Sequence, residues 1–189
     1  MGAWIHMVPV ADATGPLKQA YEKVKTPHGT VDNVMRVHSL RPHTMEGHVA
    51  LYRSVLHHPE NKLPLWFLEC VAVATSLVNR CDYSFSHHWS NARNLLRDEG
   101  RAQQILSALR DDHPQRAFDG KELALIEYAR ALTRAPGGIT RAVVDAPFRP
   151  NLAQSSGFSR LQAEKTASGF ASPRPQVWIC SIQTDFITW

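Results

Sequence analysis

The apolar residues of this chain recur mainly at the spacing of an α-helix. A first stripe is set out at i, i+3, i+4 and i+7 and therefore occupies one helix face. Thr14 precedes it as a candidate N-cap, and Pro16 suits the first turn of a helix. The stripe consists of Leu17, Ala20, Tyr21 and Val24.

Two further helices are predicted before residue 79. One opens at Ser39 and Pro42 and ends near Pro59. Its inward stripe consists of Met45, Val49, Tyr52, Val55 and Leu56. The other covers residues 65–78 after Pro64 and is apolar on nearly every side, which is typical of a helix buried over most of its surface.

Helical periodicity resumes after a break at residues 79–82. A helix is predicted from about Tyr83 to Arg97, closed by Gly100, and a shorter one from about Ala102 to Arg110. Another runs from about Lys121 to Arg134. Its inward residues are Leu125, Ile126, Ala129 and Leu132. Because no alternating strand pattern of any length occurs before residue 140, the predicted fold class is all-α.

The pattern changes near residue 146. Thr140 could cap a short helix, but Pro147 and Pro150 end it at once. Residues 151–175 are rich in Ser, Gly, Pro and Ala without a period, and the final VWICSIQTDFITW is apolar and β-prone with no partner strand. We therefore predict one helical domain over residues 1–145 and a divergent tail over residues 146–189. Our hypothesis is that a frameshift, a retained intron or an alternative transcript end produced this tail, and that it is poorly ordered.

Composition excludes several classes of protein. The 189 residues are 43% hydrophobic and 20% charged, as in an ordinary globular domain. The net charge is +4, but the basic residues form no dense block, so we expect no nucleic-acid partner. No apolar run is long enough for a membrane span, and the N-terminus lacks a signal-peptide pattern. Three cysteines form no disulfide framework, which favours a reducing, cytoplasmic location.

The candidate chemistry lies in the stretch NRCDYSFSHHW, residues 79–89. With Cys81 at the start of a helix, Cys81, Ser84 and His88 fall at i, i+3 and i+7 on one face. The free N–H groups and dipole of a helix start favour a thiolate at Cys81. His88, two turns later, can exchange protons with a molecule bound over this face.

Glu69 is the third member of this constellation. It is the only acidic or basic side chain between Lys62 and Arg80. A carboxylate in such an apolar helix is costly to bury unless it is paired or takes up a proton. Since one turn joins its helix to that of Cys81, the two should pack as a hairpin, and Glu69 and His88 would form a proton relay.

Each member also has a simpler interpretation. Cys81 could be a small buried apolar residue, and Glu69 could form a structural salt bridge with Arg80 or Arg93. Glu69, Cys81 and His88 are all possible zinc ligands, but their spacing matches no recognised closed zinc site. We therefore expect no metal and no cofactor.

The spacing of these residues resembles a known family. Cys81, Ser84 and His88 follow Glu69 at twelve, fifteen and nineteen residues. The alkylhydroperoxidase D-like branch of the carboxymuconolactone decarboxylase superfamily has Glu, a Cys-x-x-Cys pair and His at these intervals. The flanking VAVATSLVNRCDYSFSHH, LYRSVLHHP and LALIEYARALTRAP are also similar to members labelled peroxidase-related. The resemblance covers about residues 8–143.

The resemblance implies an all-α bundle with a central helical hairpin that assembles into homo-oligomers, often trimers or hexamers. It also implies reduction of organic hydroperoxides by a cysteine pair, with Glu69 and His88 handling protons and Cys81 matching the first cysteine. Ser84 departs from the pattern, because it replaces the cysteine that generally attacks the peroxide. A hydroxyl neither reduces a peroxide nor forms a disulfide.

Three functions remain open at this point. The first is a peroxidase-type oxidoreductase in which Cys81 works with an external thiol, impaired by the change to Ser84. The second is a non-redox decarboxylase or isomerase of a lactone or small organic acid. There Glu69 and His88 perform acid–base work, and Ser84 donates a hydrogen bond to the substrate. The third is an inactive family remnant.

Overall fold

The computed structural model describes residues 3–148, and this part of the chain is all-α, with eight α-helices and no strand. Single 3₁₀ turns occur at Val10–Asp12, Pro114–Arg116, Pro136–Gly138 and Ala146–Phe148. The described residues fall into two compact units, residues 3–65 and 66–148. The helices are α1 Gly15–Val24, α2 Asn33–Arg36, α3 Pro42–Leu56, α4 Leu65–Val78, α5 Asp82–Leu96, α6 Glu99–Arg110, α7 Gly120–Arg134 and α8 Arg141–Asp145.

In the first unit, α1 packs against α2 and α3. Its core is formed by Ala13, Ala20, Tyr21, Val31, Met35 and Met45. The segment before α1 is held by Val8, whose N–H donates to Ser39 Oγ at 3.0 Å and whose carbonyl accepts from the Tyr21 hydroxyl at 2.8 Å. Ser39 therefore anchors the N-terminal segment and does not open a helix, and α3 begins at Pro42.

The predicted helix over residues 65–78 is confirmed as α4. Most of α4 is buried because nearly every position carries an apolar or small side chain that can pack on a neighbouring element. The buried residues are Phe67, Leu68, Glu69, Cys70, Val71, Ala72, Val73, Ala74, Thr75 and Ser76. At the start of α4 the Phe67 ring meets Phe118 edge-to-face, with 5.9 Å between centroids.

The link from α4 to α5 is only three residues long. Arg80 adopts a left-handed conformation with φ 53° and donates its N–H to Leu77 O at 3.1 Å. The Cys81 N–H donates to Ser76 O at 3.0 Å. These two bonds form a Schellman motif, which satisfies carbonyls left open at a helix end. The chain consequently reverses at once, and α5 begins at Asp82.

Two further helix ends differ from their prediction. The helix after Cys81 stops at a left-handed Arg97, φ 53°, and Gly100 lies inside α6 instead of closing α5. Asp98 caps α6 by accepting a 2.9 Å bond from the Arg101 N–H. The short α2 carries no apolar stripe long enough to be recognised, and the sequence pattern did not predict it.

The predicted boundary at residue 145 stays a prediction. Residues 149–189 lie outside the described part of the chain, as do residues 1 and 2. The proposed origin and disorder of the tail therefore fall on residues that the structure does not describe. Within residues 3–148, none of the helices combines the length and apolar character needed to cross a bilayer.

Candidate acid–base and thiol site

Cys81 occupies the junction of the central hairpin in the second unit. It is the residue that completes the turn after α4 and also the N-cap of α5, as predicted. Its side chain is buried. Its carbonyl accepts from the Phe85 N–H at 2.9 Å, which closes the first turn of α5. A thiolate here would lie at the positive end of a 15-residue helix.

Glu69 and His88 meet across the hairpin. His88 Nδ1 lies 2.7 Å from Glu69 Oε2, a charge-assisted distance. The Glu69 side chain is only 2% exposed and that of His88 is 15% exposed, so this bond is shielded from water. The predicted contact between the two residues is therefore present in the fold. Its alternative partner, Arg93, instead donates to Glu99 at 2.7 Å.

Asn91 is a third participant that the sequence did not single out. Its side-chain amide donates to Glu69 Oε1 at 3.3 Å. Both carboxylate oxygens are thus engaged by residues of α5, His88 on one and Asn91 on the other. The signal in the sequence was the spacing, because Asn91 is i+3 from His88 and shares its helix face. An amide side chain gives no other sign of such a role.

The bond to Glu69 fixes the chemistry that His88 can perform. A carboxylate accepts hydrogen bonds, so His88 Nδ1 carries a proton and Nε2 is the nitrogen left for a substrate. A neutral ring offers the Nε2 lone pair as a base, and a protonated ring offers Nε2–H as an acid. A carboxylate behind the imidazole fixes the orientation of the ring, which is the arrangement used in general acid–base catalysis.

Ser84 is directed to a different partner. Ser76 Oγ lies 2.7 Å from Ala72 O and 2.8 Å from Ser84 Oγ. The Ser76 hydroxyl is the donor in both contacts and is shared between the Ala72 carbonyl and Ser84 Oγ. Ser84 Oγ is the acceptor, so its own hydroxyl proton is not used in this contact.

Cys81 and His88 are not adjacent. Seven residues of α-helix separate their Cα atoms by about 10 Å along the axis. Ser84 and Phe85 lie between them along α5.

The second described cysteine differs sharply from Cys81. Cys70 lies inside α4, and burial raises the pKa of its thiol to about 12, with further increases from the charges of Glu69 and Glu122. Such a thiol stays protonated near neutral pH and is a poor nucleophile. Cys81 is thus the better placed thiol among the described cysteines.

The possible metal clusters are not assembled within residues 3–148. No group of three or more His, Cys, Asp or Glu side chains is arranged there to hold an ion. In the first unit, Glu46 pairs with Lys23 at 2.7 Å, and His48 Nδ1 lies 3.0 Å from His38 Nε2. Glu46 and His48, which lie close together in the sequence, therefore have different partners.

Comparison with protein-family models finds no match to this chain, and comparison with curated proteins finds none either. The resemblance to the alkylhydroperoxidase D-like branch accordingly stays a prediction from the spacing of Glu69, Cys81 and His88. What the structure contributes is the geometry of these residues, which is independent of any relative.

Proposed function

We propose that this protein is a thiol-dependent peroxidase that reduces organic hydroperoxides at Cys81, assisted by a Glu69–His88 proton relay. The observation that carries the proposal is the 2.7 Å bond between buried Glu69 and His88, because His88 lies on the helix that Cys81 caps. A nucleophile at a helix start and an oriented acid–base pair are the two elements that such a reduction needs.

The reaction balances with a thiol as the reductant. The Cys81 thiolate attacks the terminal peroxide oxygen, an S–O bond forms, and the O–O bond breaks. The departing alkoxide takes up a proton, for which the Glu69–His88 pair is the proposed source, and this gives an alcohol and a Cys81 sulfenic acid. An external thiol then forms a mixed disulfide with release of water. A second external thiol restores Cys81 and leaves as a disulfide.

Ser84 explains why the external thiol is required. The Ser84 hydroxyl cannot form a disulfide with Cys81, and it accepts a hydrogen bond from Ser76. Resolution must therefore come from outside this motif, and turnover should be slower than with an internal cysteine. The cycle also requires a reducing compartment, so we propose a cytoplasmic location and, by the family resemblance, a homo-oligomer.

The direct test is to trap the sulfenic acid. The protein is treated with an organic hydroperoxide and then with dimedone, and the labelled residues are identified by peptide mass spectrometry. We expect label on Cys81, none in Cys81→Ser, and full label in the control Cys70→Ser. Absence of label or mixed disulfide on Cys81 in the wild type would show that the peroxidase proposal is wrong.

A non-redox enzyme of a lactone or small organic acid is the second candidate. It is favoured by one observation, that the Glu69–His88 bond is complete without any thiol. Ser84 accepts from Ser76, so its own hydroxyl proton stays available to a substrate carbonyl. Turnover lost in Glu69→Gln and His88→Ala but retained in Cys81→Ala would select this function.

An inactive remnant is separated from both by one comparison. Hydroperoxide consumption is measured for the wild type and for Ser84→Cys, which restores the Cys-x-x-Cys spacing. Activity in both proteins, faster in Ser84→Cys, supports the peroxidase with an external resolver. Hydroperoxide consumption by Ser84→Cys alone would mean that the wild-type motif is inactive because Ser84 replaces the second cysteine.

A further inference from the structure

Arg110 lies beside the start of α5 and has no carboxylate partner among residues 3–148. Arg110 is the last residue of α6, which packs on α5, and its guanidinium carbon lies 5.0 Å from the centroid of the Phe85 ring. Phe85 follows Cys81 by one helical turn, since its N–H donates to the Cys81 carbonyl. The Arg110 charge is therefore on the order of 10 Å from the thiol.

The neighbouring acids are already committed to other arginines. Asp111 accepts from Arg116 at 3.2 Å, and Asp112 pairs with Arg130 and Arg134. Within the described residues, Arg110 makes no ion pair. The ring of Phe85 restrains its guanidinium through a cation–π contact, which leaves the outer face and edges of the fork available to an anion.

The charges flanking Cys81 itself cancel. Arg80 precedes it and Asp82 follows it, and both side chains are exposed. Arg110 is a further positive charge near this end of the hairpin. Its planar fork matches the two oxygens of a carboxylate, and the half-buried Phe85 ring offers apolar contact between that carboxylate and the thiol.

We infer that Arg110, held over Phe85, recognises a carboxylate on the substrate, so that Cys81 acts preferentially on anionic organic hydroperoxides. This inference rests on the proposed function for the reaction, but the recognition of an anion near Cys81 can be measured without it. Arg110 is a specificity-determining residue in this scheme, and proton transfer stays with His88.

The decisive experiment compares two alkylating agents of similar size. Iodoacetate is anionic and iodoacetamide is neutral, and with each the thiolate displaces iodide and forms one S–C bond. The rate at Cys81 is followed by peptide mass spectrometry, and the ratio of the two rates is the readout. In Arg110→Gln this ratio should fall roughly threefold, the effect of one charge at such a distance in a mostly aqueous setting. The difference should shrink as salt rises.

The variants make the result specific. Arg110→Lys keeps the charge and should restore most of the ratio, and Phe85→Leu should lower it by releasing the guanidinium. The control Arg93→Gln removes an equal charge from the other end of α5, where Arg93 pairs with Glu99, and should leave the ratio unchanged. A ratio in Arg110→Gln equal to that of the wild type overturns the inference. A Cys81 that reacts with neither reagent in the folded protein also overturns it.

A second arm separates the two proposals. Consumption of a carboxylate-bearing hydroperoxide is compared with that of its methyl ester, and we expect the wild type to prefer the acid and Arg110→Gln to lose that preference. Equal use of acid and ester by the wild type contradicts the inference alone. If neither is consumed while the alkylation ratio falls as expected, the peroxidase proposal fails and the anion site stands.

Discussion

Replacing Glu69 by Gln tests the central pair most directly. The change keeps the shape of the side chain and removes its charge, so His88 would donate to a neutral oxygen. A hydrogen bond to a charged group contributes about 1.5–3 kcal/mol and a neutral one about 0.5–1.5 kcal/mol. The weaker 3.3 Å contact with Asn91 changes little. We therefore expect a loss of about 1–1.5 kcal/mol in the free energy of unfolding.

For a chain of this size, that loss lowers the thermal midpoint by about 3–5 °C. Circular dichroism during heating measures the midpoint, and urea titration measures the free energy. His88→Ala should cost more, about 2–3 kcal/mol, because it leaves a buried carboxylate with Asn91 alone. The control is Glu99→Gln, which alters an exposed carboxylate bound to Arg93 and Gln103 and should leave the midpoint unchanged.

The outcome that refutes this reasoning is a Glu69→Gln protein as stable as the wild type. It would mean that the Glu69 side chain contributes no charge-assisted bond in the fold, and that a neutral side chain serves equally well. The proton relay would then lose its physical basis, whatever the activity of the protein. The reasoning would also be refuted if Glu69→Gln lowered the free energy of unfolding more than His88→Ala does.

Three further predictions concern other residues. Burial, and then the charge of His48, lower the pKa of His38 to about 4. In the unfolded chain this histidine binds a proton near pH 6.5, so the free energy of unfolding should fall by up to about 3 kcal/mol between pH 6.5 and 4. Urea titrations of His38→Gln should show a smaller fall over this pH range. Equal pH profiles for the two proteins would contradict the prediction. Arg80→Gly should raise the free energy of unfolding by about 1 kcal/mol, since glycine adopts φ 53° without strain; a loss in urea titration would argue against it. Maleimide should label Cys81 in the native protein and Cys70 only after denaturation, and native labelling of Cys70 would disprove its raised pKa.

The sequence by itself determined the helices that carry the site. In α4 and α5 the apolar period, the break before Asp82 and the shared face of Cys81, Ser84 and His88 are all local properties. A short turn between two such helices leaves little choice except an antiparallel hairpin. That is why the meeting of Glu69 with His88 could be predicted without coordinates.

The sequence did not determine the partners of the hydroxyl and amide side chains. No feature of the sequence indicates that Ser84 Oγ accepts a 2.8 Å hydrogen bond from Ser76. Asn91 carries no charge, and its role depends on where the Glu69 oxygens lie. Which atom donates a hydrogen bond, and which donors and acceptors stay unused, depends on distances of a few tenths of an ångström. No sequence pattern specifies such distances.

Tertiary structure also decided which charges are neutralised. In the sequence, Arg110 is followed directly by Asp111 and Asp112, which suggests an ion pair with one of them. However, α6 ends at Arg110, and the two aspartates pair with other arginines. Periodicity places a residue on a face, whereas the angle of the turn after a helix decides what that residue meets. The residues of the candidate site could therefore be chosen from the sequence, whereas their hydrogen-bond partners and neighbouring charges were set only by the packing of the helices.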